Sequence, residues 1–260
     1  MATWYTKLQR PLAKDKMKTK QIIKCQNSKI HLSDWIISHF PENYEEMSYV
    51  EPYCGGASIL FQKNKSKIEV INDLDASIIQ IYQALRDESK EMIRRLHLCK
   101  HCEETFFRSL KKTVFEDYLD GAVNEFIVRR MSRNGLRENF DSKESWESTI
   151  KAMPVVSDRL KEVYIFNKPG LDIIKTFNTD DSLVYCDPPY LYETKVSKAV
   201  YSSAMTTEDH IELSHALNNF NGKAIISGCP SPLYNRLYKS WNMEKKKTKE
   251  KTVEVIWKNY

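Results

Sequence analysis

Met47-Ser48-Tyr49-Val50-Glu51-Pro52-Tyr53-Cys54-Gly55-Gly56-Ala57-Ser58-Ile59-Leu60-Phe61 is the stretch whose reading decides the fold. Met47 to Val50 reads as a buried strand, Gly55 and Gly56 as a turn, and Ala57 to Phe61 as the opening of a helix. With only seven glycines in 260 residues, an adjacent pair marks a backbone requirement. Downstream, Lys67-Ile68-Glu69-Val70-Ile71-Asn72-Asp73 reads as a second short strand with an acidic end. Asp75 to Arg86 then carries Ile78, Ile79, Tyr82 and Leu85 at helical spacing. Strand, glycine turn, helix, strand, acidic end, helix is the opening of a βαβ nucleotide-binding unit.

Residues 87–160 change character: charge and aromatics dominate, with helical periodicity, and the region reads as a helical insertion. Strand–helix alternation then resumes. Val163 to Asn167, Leu183 to Cys186, Ala224 to Ser227 and Val253 to Trp257 read as strands, with helices at 171–177 and 207–219. The lysine-rich Glu244 to Lys251 reads as a solvated loop before the last strand. The expected organisation is an α/β catalytic domain, 1–86 with 161–260, interrupted by the insertion at 87–160.

The bulk properties agree with one globular unit. Hydrophobic residues make up 41% and charged residues 29% of the chain. No run approaches the ~18 apolar residues of a membrane span, and Met1 to Lys24 is polar without a signal-peptide core. A cytoplasmic setting, in a prokaryotic cell or encoded by a phage, is expected. Six scattered cysteines fit a reducing compartment. His97, Cys99, His101 and Cys102 lack the second ligand pair that zinc requires; a helix with two cysteines on one face explains them, and no metal is expected. The net charge of +5 permits attraction to nucleic acid without demanding it.

The chemistry concentrates in Leu183-Val184-Tyr185-Cys186-Asp187-Pro188-Pro189-Tyr190. Ligands of open α/β sheets sit beyond the carboxyl ends of strands, where this segment ends. Two prolines remove two backbone donors and leave carbonyl acceptors. The result is a carboxylate, the Pro188 carbonyl and the π-face of Tyr190, a set that suits a planar base bearing an amino group. Upstream, Asp73 ends the second strand, where an acid binds ribose hydroxyls. Neither Gly-x-Gly-x-x-Gly nor a P-loop is present, so ribose binding without phosphate cradling suits S-adenosylmethionine better than NAD or ATP.

In the order and combination of these elements the chain resembles the Dam-type N6-adenine-specific DNA methyltransferases, the Asp-Pro-Pro-Tyr class, from about Ile23 to Tyr260. Val70-Ile71-Asn72-Asp73-Leu74-Asp75 is similar to that family's ribose-binding element, Tyr185 to Tyr190 to its catalytic element, and Thr252 to Tyr260 to its closing strand. The family's opening cofactor segment corresponds to Cys25-Gln26-Asn27-Ser28-Lys29, which keeps the lysine but not the aromatic or the glycines. The resemblance implies a Rossmann-like, S-adenosylmethionine-dependent methyltransferase fold with a mostly parallel sheet. It implies cofactor contacts from Cys25, Lys29, Glu51, Tyr53, Gly55, Asp73 and Asp187, and catalysis by Asp187, Pro188, Pro189 and Tyr190. Asp before Pro-Pro-Tyr favours adenine over an amino-cytosine.

Four arginines fall between residues 127 and 137 with no acid among them. Arg130, Arg133, Asn134 and Arg137 read as contacts to double-stranded DNA in the family's target-recognition region; alternatively the cluster is a solvated helix end covering apolar surface. Two rival functions fit the chain: a methyltransferase acting on RNA or cytosine N4, and a catalytically impaired DNA-binding protein on the same scaffold.

Overall fold

A computed structural model describes residues 21–25, 28–143, 145–190, 205–248 and 252–260. The expectations for Met1 to Lys20, for Gln26 and Asn27, and for residues 249–251 fall outside the described residues. In chain order, a 3-10 turn at Lys29–His31 precedes α1 (Ser33–Ile37), β1 (Ser48–Glu51), α2 (Ser58–Gln62), β2 (Ile68–Asn72) and α3 (Ala76–Asp87). Next come α4 (Ser89–His97), α5 (Glu103–Lys111), α6 (Tyr118–Met131) and α7 (Trp146–Leu160). The chain continues through β3 (Val163–Phe166), α8 (Gly170–Thr176), β4 (Ser182–Cys186), α9 (Thr207–Asn218) and β5 (Lys223–Gly228). It closes with α10 (Pro232–Leu237), β6 (Asn242–Lys247) and β7 (Val253–Lys258).

Among the described residues seven strands form one sheet in the order β3-β2-β1-β4-β5-β7-β6. The first five run parallel, and β7 is antiparallel to both β5 and β6. Chain order reverses between β1 and β4, so their carboxyl ends diverge into a crevice, the ligand position of open α/β sheets. β1, β2 and β4 are buried along their whole lengths, which is why they read as continuous apolar runs. Tyr49, Ile71, Leu183, Tyr185, Ile225 and Ile256 share one core with α1 to α7. Their strand neighbours Val50, Val70, Val184, Ile226 and Trp257 pack with α8, α9 and α10 on the opposite face. No helix among the described residues is long and apolar enough to cross a membrane.

Two expectations are corrected. Half of the anticipated loop at 244–251 is strand: Asn242 to Lys247 pair with β7 in register from Asn242↔Lys258 to Lys247↔Val253. Main-chain bonds to β7 hold this edge strand, and its lysines are what an exposed edge tolerates. Cys99 and Cys102 do not share a helix face; Cys99 follows α4 and Cys102 caps the start of α5. At the amino end of β2, Glu69 is sandwiched between the Lys63 ammonium and the Arg159 guanidinium, all three buried.

Candidate active site

The crevice at the carboxyl ends of β1, β2 and β4 is a cleft of about 340 Å³. It is lined by all the sequence-derived cofactor candidates, Cys25, Lys29, Glu51, Tyr53, Gly55, Asp73 and Asp187, and by Pro188, Pro189 and Tyr190. Parallel strands explain this convergence. Each strand ends at the same edge, so residues far apart in sequence meet wherever a strand stops.

The glycine turn after β1 is held from two sides. Gly55 sits at φ +46°, a region closed to most side chains. Its N–H donates to Asp73 Oδ2 at 2.8 Å, and its carbonyl accepts the Tyr82 hydroxyl at 3.0 Å. Asp73 Oδ1 accepts the Asp75 amide at 2.9 Å, and burial raises the Asp73 carboxyl above its ordinary range. Tyr53 lies against Gly170, where a Cβ would come within 2.6 Å of the ring. Cys25 closes the same wall; burial pushes its thiol to about 12, so it stays neutral and is no nucleophile.

On the β4 side two acids flank one buried cation. Lys29 Nζ lies 3.0 Å from Asp187 Oδ1 and 3.6 Å from Glu254 Oε1. It also stands 4.6 Å from the centroid of the Tyr190 ring. Burial pulls the Lys29 ammonium down, but Asp187 and Glu254 outweigh it and the net direction is upward. Asp187 Oδ1 accepts a second hydrogen bond from Ser227 Oγ at 2.9 Å, and Ser227 Oγ lies 3.1 Å from the Tyr185 hydroxyl. The Tyr190 hydroxyl donates to Glu254 Oε1 at 2.5 Å. Glu51, buried at the end of β1, accepts the Tyr49 hydroxyl at 3.0 Å, and burial lifts its carboxyl to about 8. Burial lifts Glu254 to about 7.

The insertion forms the remaining wall through Arg129 and Arg137. Arg129, on α6, donates to Asp75 Oδ2 at 2.6 Å and to Glu125 Oε1 at 2.5 Å. Arg137, exposed at the rim, donates to Glu125 Oε2 at 2.6 Å. Arg133 and Asn134 are exposed on the turn after α6, where Asn134 has φ +55°. Arg130 departs from the sequence expectation. It is 8% exposed and its guanidinium donates to the Ile22 carbonyl at 3.2 Å, so it faces the interior rather than a nucleic acid.

Sequence reasoning overlooked Arg129 as a cleft residue, and Ser227 and Glu254 as partners of the cleft residues Asp187, Tyr190 and Lys29. Only the antiparallel sense of β7, which brings the start of a strand beside Tyr190 and Lys29, could have flagged Glu254. Three of the four residues weighed for zinc are engaged otherwise. The His101 ring stacks on Trp146 with centroids 6.2 Å apart, Cys99 Sγ lies 3.3 Å from the Arg95 carbonyl, and Cys102 Sγ lies 3.2 Å from Thr105. His210 is buried, with Nδ1 2.9 Å from the Tyr234 hydroxyl, a packing role.

Residues 28–254 match the family model of the D12 class N6 adenine-specific DNA methyltransferases. The chain is 24% identical over 291 residues to the Type II methyltransferase M1.LlaDCHI of Lactococcus lactis subsp. cremoris, covering 96% of this chain and 98% of that one. It is 23% identical over 213 residues to the DNA adenine methylase of Escherichia coli strain K12, covering 76% and 75% respectively. Among solved structures, SMU.472, described as a methyltransferase complexed with SAH, matches with a TM-score of 0.43 and 12% identity, over 94% of this chain and 54% of that one.

Proposed function

Because the chain belongs to the D12 class of N6 adenine-specific DNA methyltransferases, we propose that its cleft binds S-adenosylmethionine and methylates N6 of an adenine at a specific site in double-stranded DNA. The observation that carries this reading is the meeting of Glu51, Asp73 and Asp187-Pro188-Pro189-Tyr190 in one cleft at the switch point of the sheet. The donor set fits the cofactor. Five acids (Glu51, Asp73, Asp75, Glu138, Asp187) line the cleft against three bases (Lys29, Arg129, Arg137). Lys29 and Arg129 are already matched by acids of the chain itself. Such a lining favours a cationic ligand with ribose hydroxyls and disfavours a polyphosphate. Asp73 would take the ribose, Glu51 and Asp187 would face the cationic end, and Gly55 and Tyr53 would shape the walls.

When bound, S-adenosylmethionine supplies an electrophilic methyl group on a sulfonium. The adenine amino nitrogen is a weak nucleophile because its lone pair is delocalised into the ring. Among the described residues Ser227 and Lys29 both contact Asp187 Oδ1, and Asp187 Oδ2 would face the amino group. Accepting one N–H at Asp187 and the other at the Pro188 carbonyl localises the lone pair toward the methyl. With the methyl supplied from the sulfonium, Asp187 would accept the surplus N6 proton and release it to solvent. Tyr190 stacks on the flipped base, worth about 1–3 kcal/mol. The helical region 87–160 would recognise the target, with Arg133, Asn134 and Arg137 contacting the duplex and Lys245 and Lys247 adding phosphate attraction. A reaction needing DNA and this cofactor together belongs in the cytoplasm.

The test is transfer of labelled methyl from S-adenosylmethionine to unmethylated duplex DNA, followed by nucleoside analysis, beside Asp187→Ala. Label in N6-methyladenine, reduced at least about 100-fold in the variant, is the expected result. Label in N4-methylcytosine or RNA, or DNA binding without transfer, would replace the reading.

A further inference from the structure

We propose that Glu254 is a positioning residue for methyl transfer, fixing the Tyr190 ring so that one face is presented to the target base. The inference rests on the reading of Tyr190 as the stacking partner. Tyr190 lies on the loop beyond β4, four residues past the last strand residue and outside the strand ladders. Its phenol oxygen is instead anchored by Glu254 Oε1 at 2.5 Å, and Lys29 Nζ stands 4.6 Å from the ring centroid on one side. The same Glu254 oxygen lies 3.6 Å from Lys29 Nζ, so one carboxylate holds both groups that define the ring plane. Anchoring the para position and covering one face leaves the other face for a base.

The placement follows from topology. β7 runs antiparallel to β5, so its amino end reaches the edge where the parallel strands terminate. Glu254 is 7% exposed, and its neighbours Val255 and Ile256 are fully buried apolar residues. A position needed only for packing would hold a residue like them, since a buried acid costs free energy unless it is paired. Among the described residues its side chain pairs with Tyr190 and Lys29. Misplacing a reacting partner by about 1 Å can cost 100-fold in rate, so loss of this anchor falls on kcat rather than on cofactor affinity.

The experiment is a double-mutant cycle, with single-turnover methylation of duplex DNA at saturating substrates, cofactor affinity by calorimetry and melting temperature for each variant. Glu254→Ala is expected to lower kcat about 10- to 100-fold with cofactor Kd within about threefold of wild type. Glu254→Gln, which keeps the acceptor oxygen, is expected to restore most of the rate and guards against a folding defect in the alanine variant. In the Tyr190→Phe background, which has no hydroxyl to anchor, Glu254→Ala is expected to cost little more. Independent, multiplicative losses in the double variant would overturn the proposal. So would a Glu254→Gln variant as impaired as Glu254→Ala, or a loss confined to cofactor binding. Failure of the wild type to methylate DNA would instead remove the reading of Tyr190 on which the proposal stands.

Discussion

Replacing Glu69 with alanine tests how the platform beneath the cleft is held. The Glu69 side chain is 4% exposed, with Lys63 at 0% and Arg159 at 5%. Its Oε1 lies 2.5 Å from Lys63 Nζ, 2.6 Å from Arg159 Nη2 and 3.1 Å from the Ser66 amide. Burial alone would raise the Glu69 carboxyl, but the two cations outweigh it and hold it at about 2 against an ordinary 4.5. That displacement is worth roughly 3 kcal/mol. Removing one partner of a buried ion pair costs about 3–5 kcal/mol by an independent route. At about 2–4 °C per kcal/mol for a chain of this size, Glu69→Ala should melt about 6–20 °C below wild type at pH 7. The sign with pH follows from the depressed native value. The stabilisation is complete above the unfolded value near 4.5 and is lost as pH falls toward about 2, so the gap between variant and wild type closes in that window. Calorimetric melts at pH 7 and pH 3 measure both quantities. Glu69 lies at the amino end of β2, away from the cleft, so kcat at 25 °C stays unchanged. A melting point within about 2 °C of wild type at pH 7 would refute the reasoning, as would a gap as wide at pH 3 as at pH 7.

Two further outcomes bear on the site. Glu51, raised by burial to about 8, is largely protonated at pH 6. Attraction of a cationic ligand should therefore strengthen with pH, and the Kd for S-adenosylmethionine is expected to fall up to about tenfold from pH 6 to 7, with Glu51→Gln flattening the profile; calorimetry showing the same slope in the variant would sink this assignment. Lys245 and Lys247 are exposed on the edge strand whose carboxyl end lies along the cleft edge of the sheet. Replacing both with alanine should lower the slope of log Kd for DNA against log salt by about 1.8, at about 0.9 per phosphate contact. An unchanged slope would leave these lysines as guards of a free strand edge.

What was legible in the sequence follows from how parallel strands work. Asp73 and Asp187 directly follow the ends of strands, and one rule, that chemistry sits at carboxyl ends, finds both without knowing how far apart the strands lie in sequence, whereas Glu51 is singled out by the family resemblance. The glycine pair was legible for a local reason, since Gly55 needs a positive φ. Glu254 obeys neither rule. It lies near the start of a strand, and only the reversal of β7 against β5 brings it beside Tyr190 and Lys29, a fact of pairing rather than of local composition. The strand at Asn242 to Lys247 was hidden for a related reason: its main-chain bonds to β7 do not depend on side chains, so a lysine run conceals it. The arginines mislead in the opposite direction. Charge ordinarily signals solvent, but α6 is buried along nearly its whole length, so adjacent arginines must find partners inside. Arg130 finds the Ile22 carbonyl, and Arg129 finds Asp75 and Glu125. Ile22 and Asp75 come from other parts of the chain, while Glu125 lies one turn away on α6 itself. A buried charge is thus specified by its distant partners, whereas a strand-end acid is specified by its own strand. That difference separates the residues read from sequence here from those that needed the fold.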